Sequence, residues 1–276
     1  MDGKVMLTNA KIKEIKKLNE KSKARREAGL FVTEGPRMFV EAPLEWVEHI
    51  YVTEEFLQSA DRGVLTDGDT AIRAGEMIQW MEHDIVTKEQ MAKISDTQTP
   101  QGIMSIMRQP DYSFEDIMTK NKEAGFYMVL EDIQDPGNLG TIFRTAEGAG
   151  ALGIIMSRGT VDIFNPKTIR ATMGSIYRVP FMYTDDLEET VKRMKAGGIK
   201  VYAAHLKGEK YYDEQKYDKA AFLIGNEGNG LSGSIAACAD EYIKIPMEGQ
   251  LESLNAGVAS ALLMYEYHRQ KRLKSL

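Results

Sequence analysis

Residues 126–148 read FYMVLEDIQDPGNLGTIFRTAEG. The apolar run Phe126–Leu130 is short enough for a strand buried on both faces. Pro136 and Gly137 turn the chain, and an apolar helical pattern follows over Asn138–Gly148, with Asn138 suited to the helix cap. The same rhythm continues downstream. Strand-like runs at Gly153–Met156, Val179–Tyr183, Lys200–Ala204, Ala221–Ile224 and Tyr242–Ile245 alternate with helical patterns at Asn165–Ile176, Leu187–Ala196, Leu231–Ala237 and Ser253–Arg272. This alternation predicts an α/β fold with a mostly parallel sheet covered on both faces, whose ligands gather at C-terminal strand ends.

Two further strands end in loops rich in glycine and polar groups. FLIGNEGNGL, residues 222–231, runs into Gly225, Gly228 and Gly230 with Glu227 between them; glycine there permits close backbone approach to a ligand or a positive φ. IKIPMEGQLESLN, residues 243–255, passes from a strand through a Pro- and Gly-containing loop to a helix expected to open at Ser253. The small residues Ala256, Gly257, Ala259, Ser260 and Ala261 follow, as in a helix packed closely on another backbone or simply buried. Arg144 lies six residues after Asn138 in an otherwise apolar helix, and a guanidinium near a core is expected to have a carboxylate or phosphate partner.

Upstream, Ile12, Ile15 and Leu18 fall three apart with lysines between them, predicting an amphipathic helix from Asn9, as N-cap, to about Ala28, stopped by Gly29. Short strands at Leu30–Val32, Val47–Val52 and Ile103–Met107, with helices at Arg37–Glu41, Glu54–Ala60 and Lys88–Ile94, make residues 1–107 a smaller α/β module. Residues 108–124 read as a linker or short connecting helix, leaving 125–276 as the larger domain.

The 276 residues, 43% hydrophobic and 28% charged, suit two globular domains and exclude a disordered or fibrous chain. The single cysteine, Cys238, allows no internal disulfide, and with four scattered histidines it offers no zinc cage. A soluble protein of the reducing cytoplasm is expected, since no apolar run approaches the ~18 residues of a membrane span and the N-terminus lacks a secretory apolar centre. The net charge of −6 alone argues against nucleic acid, but residues 1–30 carry nine basic and four acidic groups. A second basic group, Arg269, Lys271, Arg272 and Lys274, lies near the end of the sequence. This asymmetry fits either solvated helix faces or an anionic partner met at those segments.

Other signals carry less. GAGALG, residues 148–153, matches dinucleotide spacing but follows a helix and precedes a strand, the reverse of the required context, which counts against an NAD-type oxidoreductase. Neither G-x-x-x-x-G-K-[ST] nor G-x-S-x-G occurs. His205, after the fourth strand of the larger domain, could face a ligand, but a solvated or core-satisfied histidine is the preferred reading, and the 16 methionines read as core filling.

Taken in order, the segments DPGNLGTIFRTAEGAGA with Asn138 and Arg144, IGNEGNGLS over 224–232, and IPMEGQLESLNAGVASALLMYE over 245–266 resemble the three motifs of the SpoU (TrmH) branch of the SPOUT RNA methyltransferases. The resemblance implies a C-terminal trefoil-knotted parallel-sheet domain that binds S-adenosylmethionine and forms a homodimer through the knot region. It also implies an N-terminal substrate-binding domain similar to small ribosomal proteins. The expected activity is transfer of a methyl group to a ribose 2′-hydroxyl, in ribosomal RNA (23S) ahead of transfer RNA. A non-catalytic RNA-binding protein with a decayed methyltransferase half is the competing reading. No metal is required, because the sulfonium supplies the electrophile.

By position, the resemblance casts Gly225, Ile245, Met247 and Leu254 as cofactor-pocket residues, and Asn138, Arg144, Glu227, Ser253 and Asn255 as the polar groups around methyl transfer. The reaction needs an aligned hydroxyl, an exit for its proton and stabilisation of the emerging oxyanion. Arg144 is expected to grip the substrate phosphate and stabilise the forming alkoxide, in a dimer at the partner's cofactor site. Ser253, Asn255 and Asn138 are expected to orient the ribose and hold Arg144, while Glu227 anchors that arginine or accepts a proton through water. The basic helix 11–26 is expected to contact the RNA backbone.

Overall fold

The computed structural model describes residues 6–62, 68–119, 124–250 and 253–274. The chain divides into two units, Met1–Pro110 with Phe164–Tyr177, and Asp111–Ile163 with Arg178–Leu276. The first contains α1 (Asn9–Glu20), α2 (Ser22–Ala28), β1 (Leu30–Glu34), α3 (Pro36–Val40), β2 (Val47–Thr53), α4 (Glu54–Arg62), α5 (Gly68–Ile78), β3 (His83–Val86), α6 (Lys88–Ile94) and β4 (Ile103–Arg108). Among the described residues its sheet has the order β1-β4-β2-β3, with β4 antiparallel to both neighbours and β3 parallel to β2.

Strand alternation divides the core of this unit. Ile15 and Leu18 of α1 pack with Val32, Tyr51 and Ile106, whereas Ile50 and Val52 join Phe39, Phe56 and Ile78 in a separate cluster. The N-terminal helix expected as one piece is two, because Lys21 adopts extended φ −121°, ψ 112°. Thr8, not Asn9, is its cap, its hydroxyl accepting from the Lys11 amide at 3.2 Å. Gly29 ends α2 at φ +64°, the left-handed conformation that favours glycine. Strand β3 escapes sequence detection because only Val86 in it is buried, so no alternation shows.

The second unit contains α7 (Phe114–Met118), β5 (Phe126–Leu130), α8 (Pro136–Ala149), β6 (Gly153–Ser157), β7 (Phe181–Thr184), α10 (Leu187–Ala196), β8 (Lys200–Ala204), β9 (Lys210–Tyr211), β10 (Ala220–Ile224), α11 (Gly233–Ala237), β11 (Glu241–Lys244) and α12 (Ala256–Lys274); α9 (Pro166–Thr172) packs in the first. Its sheet has the order β7-β6-β5-β10-β8-β11-β9 among the described residues, with every pairing parallel. All residues of β5 and β10 are buried, as their uninterrupted apolar runs require. From β5 the sheet grows towards β6 and β7 on one side and through β10 to β8 and β11 on the other. The order therefore reverses between β5 and β10, whose last residues, Leu130 and Ile224, are register partners.

Several boundaries differ from the sequence expectation. Strand β7 begins at Phe181 rather than Val179, since Pro180 has no N–H for the ladder. The helix expected over 165–176 stops at Thr172, where Met173 and Gly174 turn left-handed at φ +51° and +89°. Phe164 and Arg170 in this segment meet Phe31, with ring centroids 4.9 Å apart, and Asp96 at 2.9 Å. Helix α12 starts at Ala256 instead of Ser253. A Cβ on Gly257 would lie 3.3 Å from the Thr141 Cγ2 of α8, so the small residues there serve close helix packing. No described helix is long and apolar enough to cross a membrane.

Candidate active site

Strands β5, β10, β8 and β11 are neighbours, so the loops leaving their C-terminal ends meet. Loop 225–232 is a tight hairpin in which Asn226 and Gly230 exchange backbone hydrogen bonds at 3.0 and 2.9 Å. A Cβ on Gly225 would collide with the backbone of Gly230 and Leu231, which is why glycine is required there. The Asn226 amide oxygen accepts from the Gly228 and Asn229 amides, and its Nδ2 donates to the Asp132 carbonyl at 2.8 Å, tying the hairpin to the loop after β5. Asp132 itself is left-handed at φ +54°, its amide donating to the Ser157 hydroxyl and its carboxylate accepting from it.

Glu227 joins the loops most directly. Its carboxylate accepts from the Gln134 amide at 3.0 Å, the Asp135 amide at 3.1 Å and Asn138 Nδ2 at 2.9 Å. Asn138 Oδ1 accepts from Asn255 Nδ2 at 2.8 Å, and Asn255 Oδ1 accepts from the Gly257 and Val258 amides at the start of α12. One hydrogen-bond chain thus links the ends of β5 and β10 to α12. Burial raises the Glu227 pKa, but the Asn138 amide and the backbone donors outweigh it and hold the carboxyl below its ordinary value. Glu227 is an ionised brace at neutral pH.

Beside this chain lies a pocket entirely within the second unit. Gly225, Ile245, Met247 and Leu254 line it, as do Glu227 and Ser253, so all four residues expected to hold a cofactor and two expected to serve chemistry face one space. It encloses about 730 Å³ of space counted out to its open mouth. Mostly apolar walls with a few polar groups, beside a hairpin that tolerates no side chain at Gly225, suit a nucleoside-like ligand. Asn138 and Asn255 do not line the pocket but are braced beside it through Glu227. Among the described residues no cluster of histidine, cysteine and acidic groups could hold a metal ion.

Three sequence expectations are corrected. Asn138 does not cap α8; Asp135 does, accepting from the Asn138 amide at 2.8 Å, because Pro136 can occupy the first helical position. This frees the Asn138 side chain for Glu227 and Asn255. Arg144 is not drawn to the core: the ~100° turn per residue that buries Ile142 and Phe143 carries it to the exposed face of α8. There it has no hydrogen bond or ion pair among the described residues, so neither Glu227 nor the two asparagines hold it within one chain. Arg25, included in the expected RNA-contacting helix, is 2% exposed and donates to the Leu18 and Asn19 carbonyls at 2.7 and 3.0 Å, closing the end of α1. Lys13, Lys16, Lys17, Lys21, Lys23 and Arg26 remain exposed around it.

His205, set aside on sequence, lines the pocket. Its ring stacks on Tyr242 at 4.9 Å, and its Nδ1 accepts from the Lys207 amide at 3.1 Å. Its place immediately after Ala204, the last residue of β8, is the strand-end position that raised the ligand-facing alternative. Gln134 gives no such sign, since its role lies in a backbone amide.

Residues 125–265 match the SpoU rRNA Methylase family, and residues 9–105 match the MRM3-like substrate binding domain. The chain is 32% identical over 258 residues, 93% of its length and 95% of the relative's, to the 23S rRNA (guanosine(2553)-2′-O)-methyltransferase RlmP of Bacillus subtilis (strain 168). Among solved structures it is similar to the AdoMet-bound rRNA methyltransferase from Sinorhizobium meliloti, with TM-score 0.81 and 31% identity over 97% of each chain. It shares its fold with the SpoU methyltransferase AviRb from Streptomyces viridochromogenes in complex with AdoMet, at TM-score 0.82 and 24% identity over 96% of this chain and 99% of that one. With three strand-end loops joined at one pocket, and a relative matched along nearly its whole length, the chain belongs to the SpoU (TrmH) family of RNA methyltransferases.

Proposed function

We propose that this protein transfers a methyl group from S-adenosylmethionine to a ribose 2′-hydroxyl of ribosomal RNA, in the large-subunit (23S) RNA, in the cytoplasm. The observation that carries the proposal is the Glu227–Asn138–Asn255 chain, which assembles three distant loops beside an apolar pocket floored by Gly225. The residues present fit the cofactor: Ile245, Met247 and Leu254 offer apolar walls for an adenosine, and glycine at 225 lets the hairpin that lines the pocket close on itself. When bound there, the cofactor supplies a sulfonium methyl as electrophile.

The chain's own groups do the rest. The apolar walls exclude water from the reacting hydroxyl. Glu227 accepts from three donors that hold it ionised, so it positions Asn138 rather than taking the substrate proton. Ser253, exposed at the pocket, orients the ribose. Arg144 presents a planar set of donors to the substrate phosphate and to the charge developing on the attacking oxygen. Its exposure on α8 suits delivery to the pocket of a second copy of the chain.

A homodimer follows from that division of labour. Val258 and Tyr265, about half exposed on α12, support a self-association face beside Ala261 and Leu262. The segment from Ser253 through helix α12 is the proposed threaded segment of a trefoil knot, and its close packing on α8 supports this reading. The lysines of α1 and α2 hold the RNA backbone.

Mapping 2′-O-methyl groups in total RNA from cells with and without the gene tests the reaction, with transfer of labelled methyl to purified ribosomal RNA as the direct assay. One 23S position should lose its methyl. Loss from transfer RNA alone would move the substrate, and no incorporation into any RNA would sink the proposal.

A further inference from the structure

The first unit contains a cavity of its own between α1 and the sheet, with apolar walls that include Leu30 and Ile106. Its polar end is formed by Tyr51 and His49 of β2, Asp84 of β3 and Glu14 of α1. Tyr51 is 1% exposed, yet its hydroxyl makes no hydrogen bond among the described residues. The residue lines the cavity, so that O–H is open to a ligand there. Burial first, then the Asp84 and Glu14 carboxylates, push its pKa well up, so both acids lie near an O–H that stays protonated. Asp84 Oδ2 accepts from His49 Nε2 at 2.8 Å and its other oxygen takes no described donor, while Glu14 is 3.2 Å from Lys11.

A floor of carboxylate acceptors under apolar walls repels phosphate and matches a planar group presenting adjacent N–H donors. The Watson–Crick edge of guanine presents N1–H and N2–H side by side, whereas uracil presents one N–H between two carbonyls. The helix that supplies Glu14 also carries Lys13, Lys16 and Lys17 exposed, with no ion pair among the described residues. Backbone contacts of that kind position a nucleic acid while the base edge specifies it. We propose that this cavity receives an unpaired guanine of the RNA, distinct from the methylated nucleotide, with the adjoining phosphates held by the α1 lysines. The proposal rests on the RNA-substrate reading above.

The test measures binding of the full-length protein to labelled single-stranded RNAs of about ten nucleotides, enough to span a local site. They differ only in one central guanine, replaced by inosine, which lacks the N2 amine, or by uracil. The wild type should prefer guanine by about tenfold, within the range for a good two-point base contact. Tyr51→Phe keeps the buried ring, and Asp84→Asn keeps the side-chain shape; thermal unfolding checks that each still folds. Each should reduce the preference to about twofold, with cofactor affinity unchanged. Equal affinity of the wild type for guanine and inosine overturns the proposal, as does a preference that survives both variants. So does a lysine-rich peptide displacing the RNA more weakly from both variants than from the wild type, which would assign the cavity to a protein partner. RNA methylation without guanine preference refutes this inference alone, whereas no binding to any RNA refutes the methyltransferase reading with it.

Discussion

Replacing Glu227 by Gln tests the brace at the centre of the site. The carboxylate accepts from Gln134, Asp135 and Asn138. Glutamine keeps one acceptor oxygen, best placed where Asp135 and Asn138 both donate, and turns an NH₂ group towards the Gln134 amide. One charge-assisted hydrogen bond becomes a donor facing a donor. For a buried group that would cost about 1.5–3 kcal/mol; exposure at this loop reduces it to about 1–2 kcal/mol. The sign of its pH dependence is set by the lowered pKa. A carboxyl depressed in the folded state contributes stability that is full above its unfolded pKa and lost as pH falls through the folded value. The stability gap between wild type and Glu227→Gln, from urea unfolding at a series of pH values, should be constant from about pH 6 to 8 and shrink below about pH 4.5. Turnover should fall about tenfold while the shape of its pH–rate profile persists, because the change displaces Asn138 and Asn255 without deleting a base. A gap that grows on acidification would refute the brace. A pH–rate limb lost in the variant would return the proton-acceptor role to Glu227.

Arg144→Lys should lower turnover by about 10- to 100-fold with cofactor affinity unchanged, since an ammonium cannot supply a planar two-point contact; full turnover by this variant would contradict the assigned role. If Arg144 serves the partner's pocket, equal mixing of Arg144→Ala and Gly225→Val chains should restore about a quarter of wild-type activity, as half the dimers then hold one complete site. Gly225→Ala should weaken cofactor binding at least about tenfold in calorimetry, because its Cβ would force the Gly230–Leu231 backbone to move. Arg25→Ala should destabilise the first unit by about 2–4 kcal/mol in denaturant unfolding, through the exposed ends of two buried hydrogen bonds. Lys16→Ala and Lys17→Ala should leave stability unchanged and flatten the salt dependence of RNA binding.

Much of the larger unit was legible because its strands are short apolar runs ending in Pro- and Gly-rich loops, and the three loops holding Asn138, Glu227 and Asn255 were recognisable as a set. Their mutual contacts were not. Asn138 meets Glu227 across 89 residues and Asn255 across 117, and no periodicity relates positions so far apart. Arg144 misled for a different reason: its sequence neighbours are apolar, but neighbours on a helix point in different directions, and it faces solvent. Arg25 misled in the opposite sense, as one cation among many that proves to be buried against two carbonyls. For His205 the solvated or core reading ranked higher because an isolated histidine carries no pattern, although its strand-end place raised the ligand-facing reading, and it lines the pocket.

Local composition determined which segments could become strands, turns and helices, because burial on two faces demands continuous apolar residues and tight turns demand glycine or proline. It also determined which residue types stand at the strand ends. Tertiary structure alone decided which of those polar groups share hydrogen bonds, which cations are buried and which remain free. Those outcomes depend on strand order and helix rotation, and on the desolvation that follows from them, none of which is encoded by spacing along the chain.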